Sequence, residues 1–179
     1  MLKVPRTISY FLLSQMDSSN GLSSGLVYNQ KQNDKWALEI SYTGYNSFYL
    51  YTNNIMKFRF DEKYSVGKWG PVGLIALGGA ALYYSKSVGG GLAGDVGGIV
   101  TLNVNDDLAG SFQLNGIIFR DGVELNVEPE VHFIPAFVNK NMELYLGGRL
   151  EASMVGTSFN GSQGGKFNFY VNAGVRCGI

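Results

Sequence analysis

The sequence predicts an all-β chain closed into an antiparallel up-and-down transmembrane β-barrel of ten strands, with eight as the alternative count. Three observations predict it. Long segments alternate apolar and polar residues, glycine and Asn-Asp turn chemistry recurs between them, and the composition is rich in glycine and aromatics but poor in charge. Of 179 residues, 25 are Gly, 11 are Tyr and 11 are Phe, while Pro is 4 and charged residues are 16%. Successive side chains of a strand take opposite faces, so each alternating segment carries one ionic face and one apolar face. The segments exceed the globular mode of about 5–6 residues and suit tilted membrane strands of roughly 9–11 with some overhang. A membrane barrel turns the apolar face to lipid and encloses the polar one; a soluble barrel does the reverse.

The elements follow in order. Residues 4–15 precede "MDSSNG", and 22–31 precede "QND". Residues 35–44, "KWALEISYTG", set Trp36, Leu38, Ile40 and Tyr42 against Ala37, Glu39 and Ser41. Residues 48–60 set Met56, Phe58 and Phe60 against Lys57 and Arg59, and "DEKYSVGKWGP" reads as a long connection to 72–84. That fifth segment is apolar on both faces. After "SKSVGGG" comes 92–104, with Val96, Val100, Leu102 and Val104 on one side. Residues 108–119 follow "NDD" and set Phe112 and Leu114 against Ser111, Gln113 and Asn115.

The eighth segment, "VELNVEPEVHFIPAF" from 123 to 137, alternates Glu124, Glu128, Glu130 and His132 with Val123, Leu125, Val127, Val131 and Phe133. Pro129 stands mid-strand on the apolar face, where it removes a ladder hydrogen bond, so a bulge or early strand end is expected there. After "VNKN", residues 142–155 set Leu144, Leu146 and Leu150 against Glu143, Arg149 and Glu151. After "SFNGSQGG", residues 166–179 set Phe167, Phe169 and Val171 against Lys166, Asn168, Tyr170 and Arg176. All of this forms one domain over residues 1–179.

The connections give a separate check, because membrane barrels keep short turns at one end and longer loops at the other. The even-numbered connections are mostly short, and the odd-numbered Gly/Ser/Asn loops are mostly longer. "RDG" and "DEKYSVGKWGP" break the rule. Aromatics sort by depth: Tyr42, Tyr45, Phe48, Tyr49, Tyr51, Tyr83 and Tyr84 at the loop end, and Trp36, Tyr64 and Trp69 at the other. Two such girdles are expected at the two membrane interfaces.

In the last segment Phe167, Phe169, Val171, Ala173, Val175, Cys177 and Ile179 keep the alternation to the final residue. Here the chain resembles the small bacterial outer-membrane β-barrels, which end in an amphipathic strand that assembly machinery recognises. The family's usual terminal Phe is replaced by Ile179. The resemblance implies residence in a bacterial outer membrane. It also implies contact with outer-membrane lipids, handling by the barrel-assembly machinery, and interaction with other surface proteins through the outer loops.

The expected lumen network comprises Glu39, Lys57, Arg59, Glu124, Glu128, Glu130, His132, Arg149, Glu151 and Arg176, with Glu143 on the same face. Glu128, Glu130, Arg149, Glu151 and Arg176 lie on the last three segments and are placed to meet across neighbouring strands. Inside a narrow barrel such charges must pair. The expected lipid face comprises Trp36, Leu38, Ile40, Phe58, Phe112, Leu114, Leu144, Leu146, Phe167, Phe169 and Val171. The reading is a non-enzymatic membrane barrel, a structural or accessory subunit or a narrow channel. One alternative is a lipid hydrolase or acyltransferase, with Glu130 orienting His132 toward Ser153 or Ser158. Another is a soluble lipocalin-like ligand-binding barrel.

Several classes are disfavoured. Lys plus Arg equals Asp plus Glu at 14 each, which offers no electrostatic footprint for nucleic acid. The single Cys177 excludes an internal disulfide and a cysteine zinc site. No cofactor or metal is expected: "GGGLAG" lacks a following helix, and Asp106 and Asp107 are too few for calcium. The longest run free of charge, "GPVGLIALGGAALYY", is too short and too broken for a membrane helix. The opening "MLKVPRTISYFLLSQ" reads as the first strand of a mature chain without its export signal.

Overall fold

The computed structural model describes residues 5–15, 22–46, 55–85, 89–119, 122–135, 141–155 and 166–179. Alternation over these stretches becomes ten strands: β1 (Arg6–Gln15), β2 (Leu22–Lys31), β3 (Trp36–Asn46), β4 (Ile55–Trp69), β5 (Val72–Ser85), β6 (Gly89–Asn103), β7 (Leu108–Phe119), β8 (Gly122–Phe133), β9 (Met142–Val155) and β10 (Lys166–Gly178). Each pairs antiparallel with its sequence neighbour, and β1 pairs with β10 to close the barrel. Ten is therefore the strand number. Partners starting from Arg6 run through Gln30, Leu38, Glu62, Gly78, Val96, Gly116, Leu125 and Ala152 to Phe167. That path climbs from one end of β1 to the opposite end of β10, so the strands tilt strongly, as closure requires.

One end of the barrel, here the turn end, carries the connections after β2, β4, β6 and β8; the other is the loop end. Two turns use the same device. Asn33 Oδ1 accepts from the Lys35 and Trp36 amides at 2.8 and 2.9 Å. Asn105 Oδ1 accepts from the Asp107 and Leu108 amides at 2.9 and 2.7 Å. An asparagine carbonyl thereby replaces backbone acceptors that a tight reversal leaves out. Asn105→Ala is expected to cost about 1 kcal/mol in urea unfolding from lipid vesicles, the usual worth of such bonds.

The stretch "DEKYSVGKWGP" departs from the expectation of a long loop. It continues β4 to Trp69, and the reversal is only Gly70 and Pro71. Gly70 adopts φ 58°, which glycine tolerates and a two-residue hairpin favours. A bulge between Ser65 and Gly67 leaves Val66 unpaired. It shifts the alternation by one, so Tyr64 and Trp69, even and odd in number, share the outer face. The expected irregularity at Pro129 does not occur: Val127↔Leu150 and Glu130↔Gly147 keep one register on either side of it. Pro129 is on the exterior, and β8 runs on to Phe133. The "GGG" of "SKSVGGG" belongs to β6 rather than to a loop, and the connection after β8 spans 134–141, longer than "VNKN". Residues 48–54 of the expected fourth segment, with Phe48, Tyr49 and Tyr51, lie outside the described residues.

The outer face is apolar along most of its length, with Arg6 and Glu62 as its charged residues among the described strands. Tyr10, Leu26, Phe58, Phe60, Leu82, Val96, Phe112 and Leu125 are all at least 41% exposed. In water this wall would be a very large apolar patch. At the turn end Trp36 and Tyr64 pack with tilted rings at 4.8 Å, and toward the loop end Tyr42 meets Phe58 at the same separation. Tyr83 departs from the expected girdle: it points inward and is 4% exposed, whereas Tyr84 faces out. Inside, β5 contributes to a small apolar cluster of Ala81, Tyr83, Ala93 and Ile117, backed by Phe119. A second cluster joins Phe11, Leu13, Tyr145 and Tyr170. Rings fit there because Gly25 lies under Phe11 and Gly174 under Tyr145; a Cβ at either would overlap the ring.

Candidate functional site

The interior is built by parity. Odd positions of β4 and β9 and even positions of β8 and β10 project inward, which collects charges from strands far apart in sequence. Toward the loop end Lys57 Nζ donates to Glu124 Oε1 at 2.6 Å and lies 5.2 Å over the Tyr83 ring. Asn126 Nδ2 adds a bond to the same carboxylate oxygen at 2.9 Å. Midway, Arg59 bridges Asp61 at 2.9 Å and Asp95 at 2.6 Å, with Asn115 Nδ2 donating to Asp95 at 3.1 Å. Arg149 Nη2 donates to Glu128 Oε2 at 3.0 Å.

Nearer the turn end a histidine cluster forms. His132 Nδ1 lies 2.9 Å from Glu143 Oε1, and Arg176 Nη1 donates to that same oxygen at 2.8 Å. Across the ring, Nε2 has Ser111 Oγ at 3.0 Å and Glu130 Oε2 at 3.3 Å. Asn172 Nδ2 donates to Glu130 at 2.9 Å, and Arg176 Nε donates to Ser9 Oγ at 3.1 Å. Lys63 reaches Glu39 at 2.5 Å. Among the described residues no group of three or more His, Cys, Asp or Glu side chains could hold a metal ion.

Ser111, His132 and Glu143 form a row with the connectivity of a nucleophile, a base and its orienter. The chemistry does not follow, because a base must offer Nε2 as a lone pair to the serine. Here a carboxylate lies against that same nitrogen, which favours an N–H pointing at Glu130. The carboxylate also stands where negative charge would develop during acyl transfer, opposite to what an oxyanion site needs. The row is a brace between β7, β8 and β9.

A cavity of about 360 Å³ runs through these tiers. At the turn end it is bounded by Pro5, Thr7, Lys31 and Lys63, and toward the loop end by Leu13, Thr43 and Lys57. Water, small ions or a small polar solute fit such a space; its charged walls pair across it.

The structure places Lys57, Arg59, Glu124, Glu128, His132, Arg149 and Glu151 among the buried residues; Glu39, Glu130 and Arg176 are partly buried. Of the expected cross-strand set Arg149 meets Glu128, whereas Arg176 meets Glu143 and Glu151 accepts from Asn168 at 3.2 Å. Of the eleven residues expected on the lipid face, Trp36, Phe58, Phe112, Leu114, Leu146, Phe167 and Phe169 are exposed. Leu38, Ile40, Leu144 and Val171 are partly covered by neighbours on the same wall. Asp61, Lys63 and Asp95 were not expected. Their signal was parity: Asp61 and Lys63 follow Arg59 at steps of two, and Asp95 alternates with Val96. The Ser153 side chain and Ser158 lie outside the described residues.

No protein-family model matches the chain, and no curated protein does. Solved structures do. A KdgM porin aligns over 97% of this chain and 99% of its own, at 11% identity and a TM-score of 0.53. A bacterial polysaccharide outer membrane secretin aligns over 89% of this chain at 9% identity and a TM-score of 0.52. The aligned part spans 57% of that longer protein. Neisserial surface protein A aligns over 97% of this chain at 14% identity, with a TM-score of 0.44. The fold is thus the closed antiparallel barrel found in solved outer-membrane proteins.

Proposed function

We propose that the chain is an integral barrel of the bacterial outer membrane, not an enzyme, whose ion-paired lumen passes water and small ions but no larger solute. The observation that carries this is the inversion of the usual soluble pattern: an apolar wall outside, and inside it a cavity lined by the ion-paired Arg59, Arg149 and Lys57. Lipid is the solvent in which such a wall is stable. A porin and a secretin on the same fold support a membrane role. Its partners are membrane lipids, the assembly machinery that would act on β10, and surface proteins reached through the loop end.

Detergent extraction with heat-modifiable gel migration, followed by planar-bilayer recording, tests this. The expected result is a folded band that shifts on boiling and a small conductance that rises in Glu128→Gln/Arg149→Gln. A chain that stays soluble without detergent, or one that conducts like a wide porin, refutes the reading. A fluorophosphonate probe is expected to leave Ser111 unlabelled; labelling that His132→Ala abolishes would revive the hydrolase.

A further inference from the structure

Two charged side chains stand on the outer face of the described strands, Arg6 and Glu62, both exposed. Neither has an ion-pair partner among the described residues. Glu62 lies two residues deeper into the apolar wall than the Trp36–Tyr64 pair, with Phe60 beyond it on β4 and Leu38 and Gly78 as its cross-strand partners. Gly78 gives it no shelter, and the wall beyond stays low through Ala76, Ala80, Gly94 and Gly98. A carboxylate facing lipid is costly, and charges kept there as a rule have a partner.

No described residue of the same chain supplies that partner. Arg6, Gln30, Leu38 and Glu62 are successive cross-strand partners, so Arg6 and Glu62 end a row three strand spacings long, about 14 Å at the usual spacing. The row is self-complementary: cation at one end, anion at the other, and uncharged Gln30 and Leu38 between. A two-fold axis parallel to the barrel and passing between Gln30 and Leu38 sets each Arg6 below the other copy's Glu62, about 9 Å nearer the turn end at the usual strand tilt. Arg6 starts at the turn end, and its long side chain can run along the wall to the depth of Glu62.

The geometry points to a two-fold homodimer in which the outer faces of β2 and β3 meet and Arg6 of each subunit pairs with Glu62 of the other. This rests on the membrane reading, because in water neither charge needs a partner. The test is copper-phenanthroline oxidation in native membranes of Cys177→Ser/Leu38→Cys, which places one thiol beside the axis. A disulfide-linked dimer is expected. Arg6→Glu and the milder Glu62→Gln should each lower its yield about tenfold, and Arg6→Glu/Glu62→Arg should restore it, which no intrachain contact could do. A heat-modifiable membrane band without dimer, or with a product of other mass, overturns the dimer alone. So does a double variant that folds yet stays monomeric. Recovery in the soluble fraction overturns the membrane reading itself.

Discussion

Arg59→Ala is expected to destabilise the barrel by about 3–5 kcal/mol, the usual cost of removing one partner from a buried ion pair. The guanidinium holds Asp61 and Asp95 together, and both acidic side chains are sealed from solvent. Without it two carboxylates face each other in a narrow interior, with Asn115 as the remaining neutral donor to Asp95. Urea unfolding from lipid vesicles reads the loss directly. Adding Asp61→Asn and Asp95→Asn to Arg59→Ala should return much of it, because the repulsion goes with the charges. A loss under about 1 kcal/mol would mean that water solvates this tier as well as arginine does.

Leu114→Arg should be nearly as damaging, and for a reason no soluble protein shares. Leu114 is 49% exposed at the middle of β7, where a water-facing substitution would be close to neutral. In a bilayer the same change places a cation against acyl chains and costs roughly 2–4 kcal/mol near the midplane. Val104, 60% exposed in the connection after β6, supplies the contrast. Val104→Arg should leave the urea midpoint within about 0.5 kcal/mol of wild type. Equal, small effects at both positions would show that the wall faces water.

Both predictions use faces that the alternating pattern made legible. "KWALEISYTG" and "FNFYVNAGVRC" name their inner and outer residues without coordinates, because a strand has only two faces. The pattern misled where charge density imitated a loop. "DEKYSVGKW" carries four charges, yet Asp61 and Lys63 face in, and the Val66 bulge hides the alternation after them. Asp95 sits in a glycine-rich run where Val96 alone, among its immediate neighbours, declares a face. Register was out of reach: Glu143 meets His132 only because β8 and β9 pair Phe133 with Leu144, a fact set by the 134–141 connection. The two expected partners of that histidine, Glu130 and a serine, both exist, but the serine is Ser111 on the other neighbouring strand.

The seam between β1 and β10 governs the order in which the molecule can be made. Ile8 opposes Cys177, and the Arg176–Ser9 hydrogen bond joins residues 167 apart. Every other junction is a local hairpin that can zip as soon as its two arms exist, whereas this one closes the longest loop in the chain. Until it closes, the first and last ribbons are raw edges, apt to pair with a neighbour's. Closure therefore waits on the last strand, and a nearly finished curl must stay apart from its siblings until its two rims find each other.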